Sequence, residues 1–548
     1  MRKFISFLIL VFCFVIVSAQ QKNSAEEISK YAEKVRSDWK IPGLSLAVIQ
    51  GDSTILMKGF GVKEKGKKDS VTANTMFHIG SMTKAFTASI IASLVDKGMV
   101  SWDDKVKDIL PDFDWYCDSV ESVIKVKDLL THSSGLVAQV GTYIPNLGYD
   151  REDIYRMFKY IEPYYQPYEK FAYNNITFIL AAKVIEEVTG LSWEENLERL
   201  IFRPLGMTES TPTAEGFEAA GKKSSSAHYF GYSSRNGGSM QVSVLRAEER
   251  AHHWVNVIGP AGSICSNAED MAKWVKFHLD NGKVKKTIYP DSNAHNSLLE
   301  SLTNQEIFFP ELPANEYSLT PYDRELQVIS ATQMQFLHTP AVTVKEDSTS
   351  RRGYGYCWYI EENPKYKVIS HTGTTWGFTG VCGFVPEFDL AIAILCNSEV
   401  SEYARIGLMR FIIDQYLPDS EYKDYSSEGV QKWYAAKKRG SSRAVPCKIK
   451  RSKIVPDFNS LVGVYTKEAP FGDAQVTLKD GKLYMKIGKY GWEHRLTHHK
   501  GNEFHLRSHG HTYPIFFHNY TGDTGKPISF EIDFNYNENF GPWVISSF

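Results

Sequence analysis

The sequence predicts an α+β protein: an antiparallel sheet flanked by helices and joined to a helical subdomain, followed by a small all-β domain at the C-terminal end. Three observations carry this. Strand-like runs stand near both ends of residues 20–425 with helical patterns between, as when one sheet is assembled from two distant pieces of chain. Residues 81–95 are apolar on nearly every face, which marks a buried central helix. After Pro456 the texture changes to short alternating segments punctuated by glycine, the pattern of an all-β module.

The elements follow in order. Met1-Arg2-Lys3 is cationic, residues 4–17 are apolar except for Ser6, and Val17-Ser18-Ala19 offers small residues for cleavage. This predicts a signal peptide over residues 1–19, with export to the periplasm or beyond the cell. The run is shorter than the roughly 20 apolar residues of a membrane span, so no integral span is expected after cleavage. A helix over 25–39 ends at Ile41-Pro42-Gly43, and strands at 44–49 and 54–61 flank the turn Gln50-Gly51-Asp52-Ser53. The middle, from about 100 to 280, reads as helical. It includes 175–189, closed by Gly190, and a helix over 270–279 opened by a capping box at Ser266-Asn267-Ala268-Glu269. Strands return at 355–360, 367–371, 379–385 and 390–395, and a helix near 403–416 covers them.

Two stretches interrupt this order. Residues 281–350, polar and with several prolines, are too long for an ordinary loop and read as an insertion. Residues 426–455, centred on Lys437-Lys438-Arg439-Gly440-Ser441-Ser442-Arg443, read as a basic linker. The expected division is therefore 1–19 signal, 20–425 main domain, 426–455 linker and 456–548 all-β domain.

Composition limits the function. Hydrophobic residues make up 43% and charged residues 23%, as in a folded globular chain. Lys plus Arg is 62 against Asp plus Glu 64, so nothing provides a grip on a nucleic-acid backbone. Six cysteines follow Ala19, namely Cys117, Cys265, Cys357, Cys382, Cys396 and Cys447, at irregular spacings, and free buried thiols are expected. The last domain holds seven of the 16 histidines, and His509-Gly510-His511 would set two rings on one strand face. Polar strand faces accommodate histidine without a ligand role, and no carboxylate or cysteine accompanies them in ligand spacing. No metal and no cofactor are expected.

His-Glu-x-x-His and Gly-x-Ser-x-Gly are both absent, and the lysine-ended glycine runs at 61–68 and 216–223 lack the hydroxyl a phosphate loop needs. Ser81-Met82-Thr83-Lys84 is different, because it opens the apolar helix. Residues three apart share a helix face, so Lys84 can reach the Ser81 hydroxyl. Burial can lower an amine's pKa far enough for it to act as a base toward serine. Tyr173-Asn174-Asn175 at a helix start and His371-Thr372-Gly373-Thr374 at a strand end supply, in order, a phenol, an amide and a backbone edge.

These motifs, with Phe77-His78-Ile79-Gly80 before Ser81, residues 126–136, Pro204-Leu205-Gly206-Met207 and Ala261-Gly262-Ser263, resemble the serine β-lactamase and penicillin-binding-protein family in its class C-like branch. The resemblance spans about 25–420, and the last domain resembles β-barrel-like modules appended to peptidases of that family. It implies a β-lactamase/DD-peptidase-like fold and an acyl-enzyme on Ser81. Lys84 and Tyr173 would share the general-base work, and Asn175 would orient substrate beside His371, Thr372, Gly373 and Thr374. The backbone N–H groups of Ser81 and Thr374 would form the oxyanion hole.

One departure matters: the family's third motif usually carries lysine where this chain has His371. An imidazole with a pKa near 6.5 is mostly neutral at pH 7. Should it face the substrate, acid would improve binding of anions. The expected function is an exported serine hydrolase cleaving amide, peptide or ester bonds, such as a peptidase of D-amino-acid peptides or an esterase. The alternatives are a β-lactamase proper, or a penicillin-recognising protein without turnover. The only partner called for is a small-molecule or peptide substrate, and no oligomeric state is assigned.

Overall fold

A computed structural model describes residues 24–233, 238–246, 249–288, 322–346, 350–418, 421–439, 455–466, 470, 472–508, 511–520, 527–532 and 546–547. The predicted signal peptide, and Cys447, His509 and Gly510, lie outside these. Helix α1 (24–38) leads into the hairpin β1 (Gly43–Gln50) and β2 (Ser53–Gly61). The remaining strands of the first sheet come from the far end of the domain: β3 (Val342–Glu346), β4 (Arg351–Tyr354), β5 (Tyr359–Glu362), β6 (Lys367–Thr375), β7 (Phe378–Val385) and β8 (Leu390–Cys396). The order is β2-β1-β8-β7-β6-β5-β4-β3, so the N-terminal hairpin closes onto the last strand, with Ala47 opposite Ala393.

The central strands are apolar throughout because both faces are covered. Side chains alternate along a strand. Leu46, Val48, Ile392 and Ile394 pack with α1 residues Ile28 and Trp39, while Ala47, Ile49, Ala391 and Ala393 face the opposite core. That second core is built on α2 (Thr83–Asp96), buried from Thr83 to Leu94, with Phe86 stacked on Trp274 at 3.6 Å. Trp274 belongs to α4 (Ala268–Leu279). Between them in sequence, α3 (Ile176–Thr189) anchors the helical region. Helix α4 is capped one residue later than its sequence suggests: Asn267, not Ser266, accepts the Asp270 N–H.

Three expectations are corrected. The strand expected at 355–360 is mostly the turn between β4 and β5, in which Cys357 takes φ 71°, and only Tyr359 and Ile360 of it lie in a strand. Of the stretch read as an insertion at 281–350, residues 289–321 and 347–349 lie outside the described residues, and the described parts are joined to the main domain. Lys283–Ile288 pairs with Tyr322–Gln327 as a hairpin, and α5 (Ala331–Leu337) buries Met334 and Leu337 while Phe336 stacks on Trp102 at 4.6 Å. Strand β3 then forms the sheet's edge. The first part of the stretch read as a basic linker, 426–455, is helical, and residues 440–454 lie outside the described residues. Residues 425–439 form α7 (Tyr425–Arg439), which follows α6 (Glu402–Asp414) and inserts Trp433 against Trp39 and Phe230. Lys432 and Lys437 looked like linker because they occupy the exposed face of an amphipathic helix.

The C-terminal module is an eight-stranded antiparallel sheet: β9 (Gly463–Thr466), β10 (Ala474–Lys479), β11 (Lys482–Ile487), β12 (Trp492–Lys500), β13 (Glu503–Ser508), β14 (His511–Tyr520), β15 (Pro527–Ile532) and β16 (Ser546–Ser547). Consecutive strands pair from β9 to β15 and β16 returns to β9, giving a nearly closed barrel. In β11, Leu483, Met485 and Ile487 turn inward while Lys482 and Lys486 are exposed. The barrel docks on the helical region. The Tyr513 hydroxyl donates to the Tyr143 carbonyl and accepts from Asn146 Nδ2, both at 3.2 Å, and Lys489 pairs with Asp150. Among the described residues no helix is long and apolar enough to cross a membrane, and Cys117, Cys265, Cys357, Cys382 and Cys396 are free thiols.

Candidate active site

Ser81 sits in a single 3-10 turn, Gly80–Met82, directly before α2. The turn presses against β6. A Cβ at Gly80 would fall 2.7 Å from the Thr374 nitrogen, and one at Gly373 would fall 1.8 Å from the Ile79 carbonyl oxygen. Gly373 therefore serves this close approach and lines no part of the cleft. Strand β6 runs on beyond Ser370, its last residue paired toward β5, so the backbone edge of Thr372–Thr374 on that side is left without a strand partner.

Lys84, the second residue of α2, is fully buried. Its Nζ donates to Asn175 Oδ1 at 2.6 Å and to the Ala261 carbonyl at 2.9 Å, and lies 3.4 Å from Ser81 Oγ. Burial brings its pKa down to about 7. Asn175, at the N-terminal boundary of α3, donates its amide hydrogens to Gln139 Oε1 and Thr142 Oγ1, both at 3.1 Å. Its side chain is thus committed to holding Lys84. Tyr173 lies with its ring 4.9 Å from Lys84 Nζ, and burial pushes its phenol well above the usual range, with a hydrogen bond to Ser81 working the other way. The phenol stays neutral.

His371 is not in the cleft. It is 1% exposed, and burial, with Lys84 nearby adding to the effect, holds its pKa down at about 3. The ring belongs to a buried chain whose protons the geometry assigns. The Asn174 N–H donates to His132 Nδ1 at 3.1 Å, so His132, likewise held neutral by burial, carries its proton on Nε2 toward the Tyr354 hydroxyl at 3.1 Å. Tyr354 then donates to His371 Nε2 at 3.1 Å, and His371 Nδ1–H donates to the Thr372 carbonyl at 2.7 Å. The sequence expectation of an imidazole facing the substrate is corrected: His371 braces β6 from behind.

The cleft in front encloses about 1120 Å³. Of the residues singled out from sequence, Ser81, Tyr173, Asn175, Thr372 and Thr374 line it, while Lys84, His371 and Gly373 lie behind its wall. Sequence reasoning missed Gln139, Thr142, Trp376, Glu399, Arg246 and Arg507. It also missed Arg405 of α6, a buried cation that burial lowers only to about 10 and whose Nη2 donates to Thr374 Oγ1 at 3.2 Å. Arg507 comes from the barrel, a residue no motif search over the first domain would reach.

Residues 31–412 match the family model described as Beta-lactamase. The chain belongs to the beta-lactamase family. Among curated proteins it is 26% identical over 437 residues to the unguisins hydrolase ungD' of Aspergillus campestris, covering 77% of this chain and 70% of that protein. It is also 26% identical over 359 residues to protein flp of Staphylococcus aureus, covering 64% and 66%. Among solved structures it is similar to the octameric penicillin-binding protein homologue from Pyrococcus abyssi, with a TM-score of 0.55 at 20% identity over 90% of this chain and 96% of that one. Within the beta-lactamase family fold seen here, Ser81 and Tyr173 line the cleft and Lys84 lies buried behind them. The site's cations are Arg405, Arg246 and Arg507 rather than residue 371.

Proposed function

We propose that the chain is a serine hydrolase that cleaves amide, peptide or ester bonds through an acyl-enzyme on Ser81. The observation that carries this is Lys84: a fully buried amine, titrating near 7, held by Asn175 and the Ala261 carbonyl beside the Ser81 hydroxyl. Deprotonated Lys84 takes the Ser81 proton as Oγ attacks the substrate carbonyl, and the resulting oxyanion lies against the backbone N–H groups of Ser81 and Thr374. Tyr173, neutral beside Ser81, gives its proton to the leaving amine or alcohol and takes in its place the one that Lys84 removed from Ser81, so the phenol ends neutral and Lys84 ends as the free amine. Water then attacks the acyl ester and restores Ser81. The hydrolase name of the Aspergillus relative supports turnover.

A cleft of this size, with arginines at its wall and rim, suits a peptide or ester bearing a carboxylate. Peptides and amides of D-amino acids fall in this class. The cationic start and apolar run of residues 1–17 support export. The test is a fluorophosphonate label followed by intact mass, with an amide, ester and β-lactam panel. We expect one adduct, lost in Ser81→Ala, and turnover of an amide or ester. A stable β-lactam adduct with no turnover of the panel would leave a binding protein instead.

A further inference from the structure

A metal-ligand set stands on the barrel, outside the cleft. On β13, Glu503 and His505 are two residues apart and so face outward together, while Phe504 and Leu506 turn into the barrel. On neighbouring β12 the register slips between His498 and Lys500, leaving His499 as an extra residue. Bulges re-aim side chains. Here the His499 ring lies stacked on His505 at 4.3 Å and 17°. One ligand atom from each of His499, Glu503 and His505 falls within 4.8 Å of the others, and His505 Nε2 is already 3.0 Å from Glu503 Oε1. The expectation that no carboxylate accompanies these histidines fails: Glu503 stands two residues before His505 on one strand, and pairing across the sheet, which sequence spacing does not show, adds His499.

We propose that His499, Glu503 and His505 bind one divalent transition-metal ion of the Zn²⁺ type, with the fourth position open to solvent. Tetrahedral zinc with nitrogen and oxygen ligands at about 2.0–2.2 Å sets ligand atoms about 3.4 Å apart. The three ligand atoms here lie within 4.8 Å of one another, and His499 is exposed, so its side chain has room to move toward the other two. Two imidazoles with one carboxylate select Zn²⁺, Co²⁺ or Ni²⁺ over Mg²⁺ and Ca²⁺, which take oxygen ligands. Glu503 is 2% exposed, and a cation at this position offsets the cost of keeping its carboxylate out of water. Arg507, two residues farther along the same face, lines the catalytic cleft, so the ion sits about 7 Å of strand from that wall.

The test uses the full chain without a histidine tag, stripped of metal and titrated with Zn²⁺ by calorimetry and with Co²⁺ by visible absorption. We expect one equivalent to bind saturably, unaffected by excess Mg²⁺, with the Co²⁺ spectrum of a four-coordinate site. His499→Ala and His505→Ala should each weaken binding by more than about 100-fold, since even outer-shell changes cost 10–100-fold. Glu503→Gln should weaken it too, and His509→Ala with His511→Ala should leave it unchanged. His499→Ala alters an exposed side chain, so its answer stands even where a buried substitution perturbs folding. Absence of saturable binding, or stoichiometric binding that survives loss of both His499 and His505, overturns the proposal.

Discussion

The chain holds two eight-stranded antiparallel sheets that hide their apolar side chains in opposite ways. In the first, β7 and β8 are buried at every residue because helices cover both faces. In the second the sheet curls on itself and buries one face only, leaving Arg495, Thr497, His505 and Arg507 outside. A sheet covered on both sides can offer chemistry only at its strand ends and through adjoining helix starts, where Ser81 and Thr374 meet. A barrel offers its whole outer surface, and this one contributes Arg507 to the cleft from a strand face.

The first sheet's site should break hardest. Lys84→Ala should lower turnover by about 10⁴-fold, because members of such a unit act together. In the wild type kcat/KM for a neutral ester should rise with pH through about 7 and then level, since the lowered pKa leaves Lys84 protonated, and inactive as a base, below that value. A pH profile with no acid limb near 7 would assign the base elsewhere. His371→Lys comes next. It places an ammonium where a neutral ring sits between Tyr354 and the Thr372 carbonyl, and denaturant unfolding should read a loss of about 3 kcal/mol or more rather than a gain in affinity for carboxylates.

The barrel's contribution is smaller and separable. Tyr513→Phe removes both bonds across the docking surface and should cost about 1–2 kcal/mol, read as a lower melting temperature with the acyl-enzyme chemistry intact. Arg507→Ala, at an exposed rim, should raise KM for a carboxylate-bearing substrate by about two- to fivefold and leave kcat and a neutral analogue unchanged. Equal effects on both substrates would remove Arg507 from substrate recognition.

Much of this was legible from local pattern. The all-round apolar stretch at Ser81 gave α2, and Gly190 gave the end of α3. The Ser81 to Lys84 spacing brought the hydroxyl and the amine together because a helix makes i and i+3 neighbours. Residue 371 was misread because a strand alternates its faces. His371 points away from the cleft, and only the paired partners of β6 reveal which side is which. Arg405 carries no local signal: on α6 it looks like a surface residue of an ordinary helix, yet it is 6% exposed behind Thr374. Trp433 was hidden in a basic composition because charge marks one face of a helix and says nothing of the other.

The chain of protons from Asn174 to Thr372 has a further consequence, which lies in acid. Each ring in it accepts on one nitrogen and donates on the other, so a second proton on His132 or His371 sets two donors face to face. The folded pKa of His371, about 3, lies below its ordinary 6.5, so between these values the unfolded chain binds the extra proton and the folded one refuses it. The stability this ring contributes is whole above pH 6.5 and drains away as pH falls toward 3. His78, buried, and His338, half-buried, are likewise held near 3 and add to the same slope. The strand that frames the cleft is therefore latched by the absence of protons, and acidification lets it go by the same act that protonates Lys84, the base of the proposed mechanism.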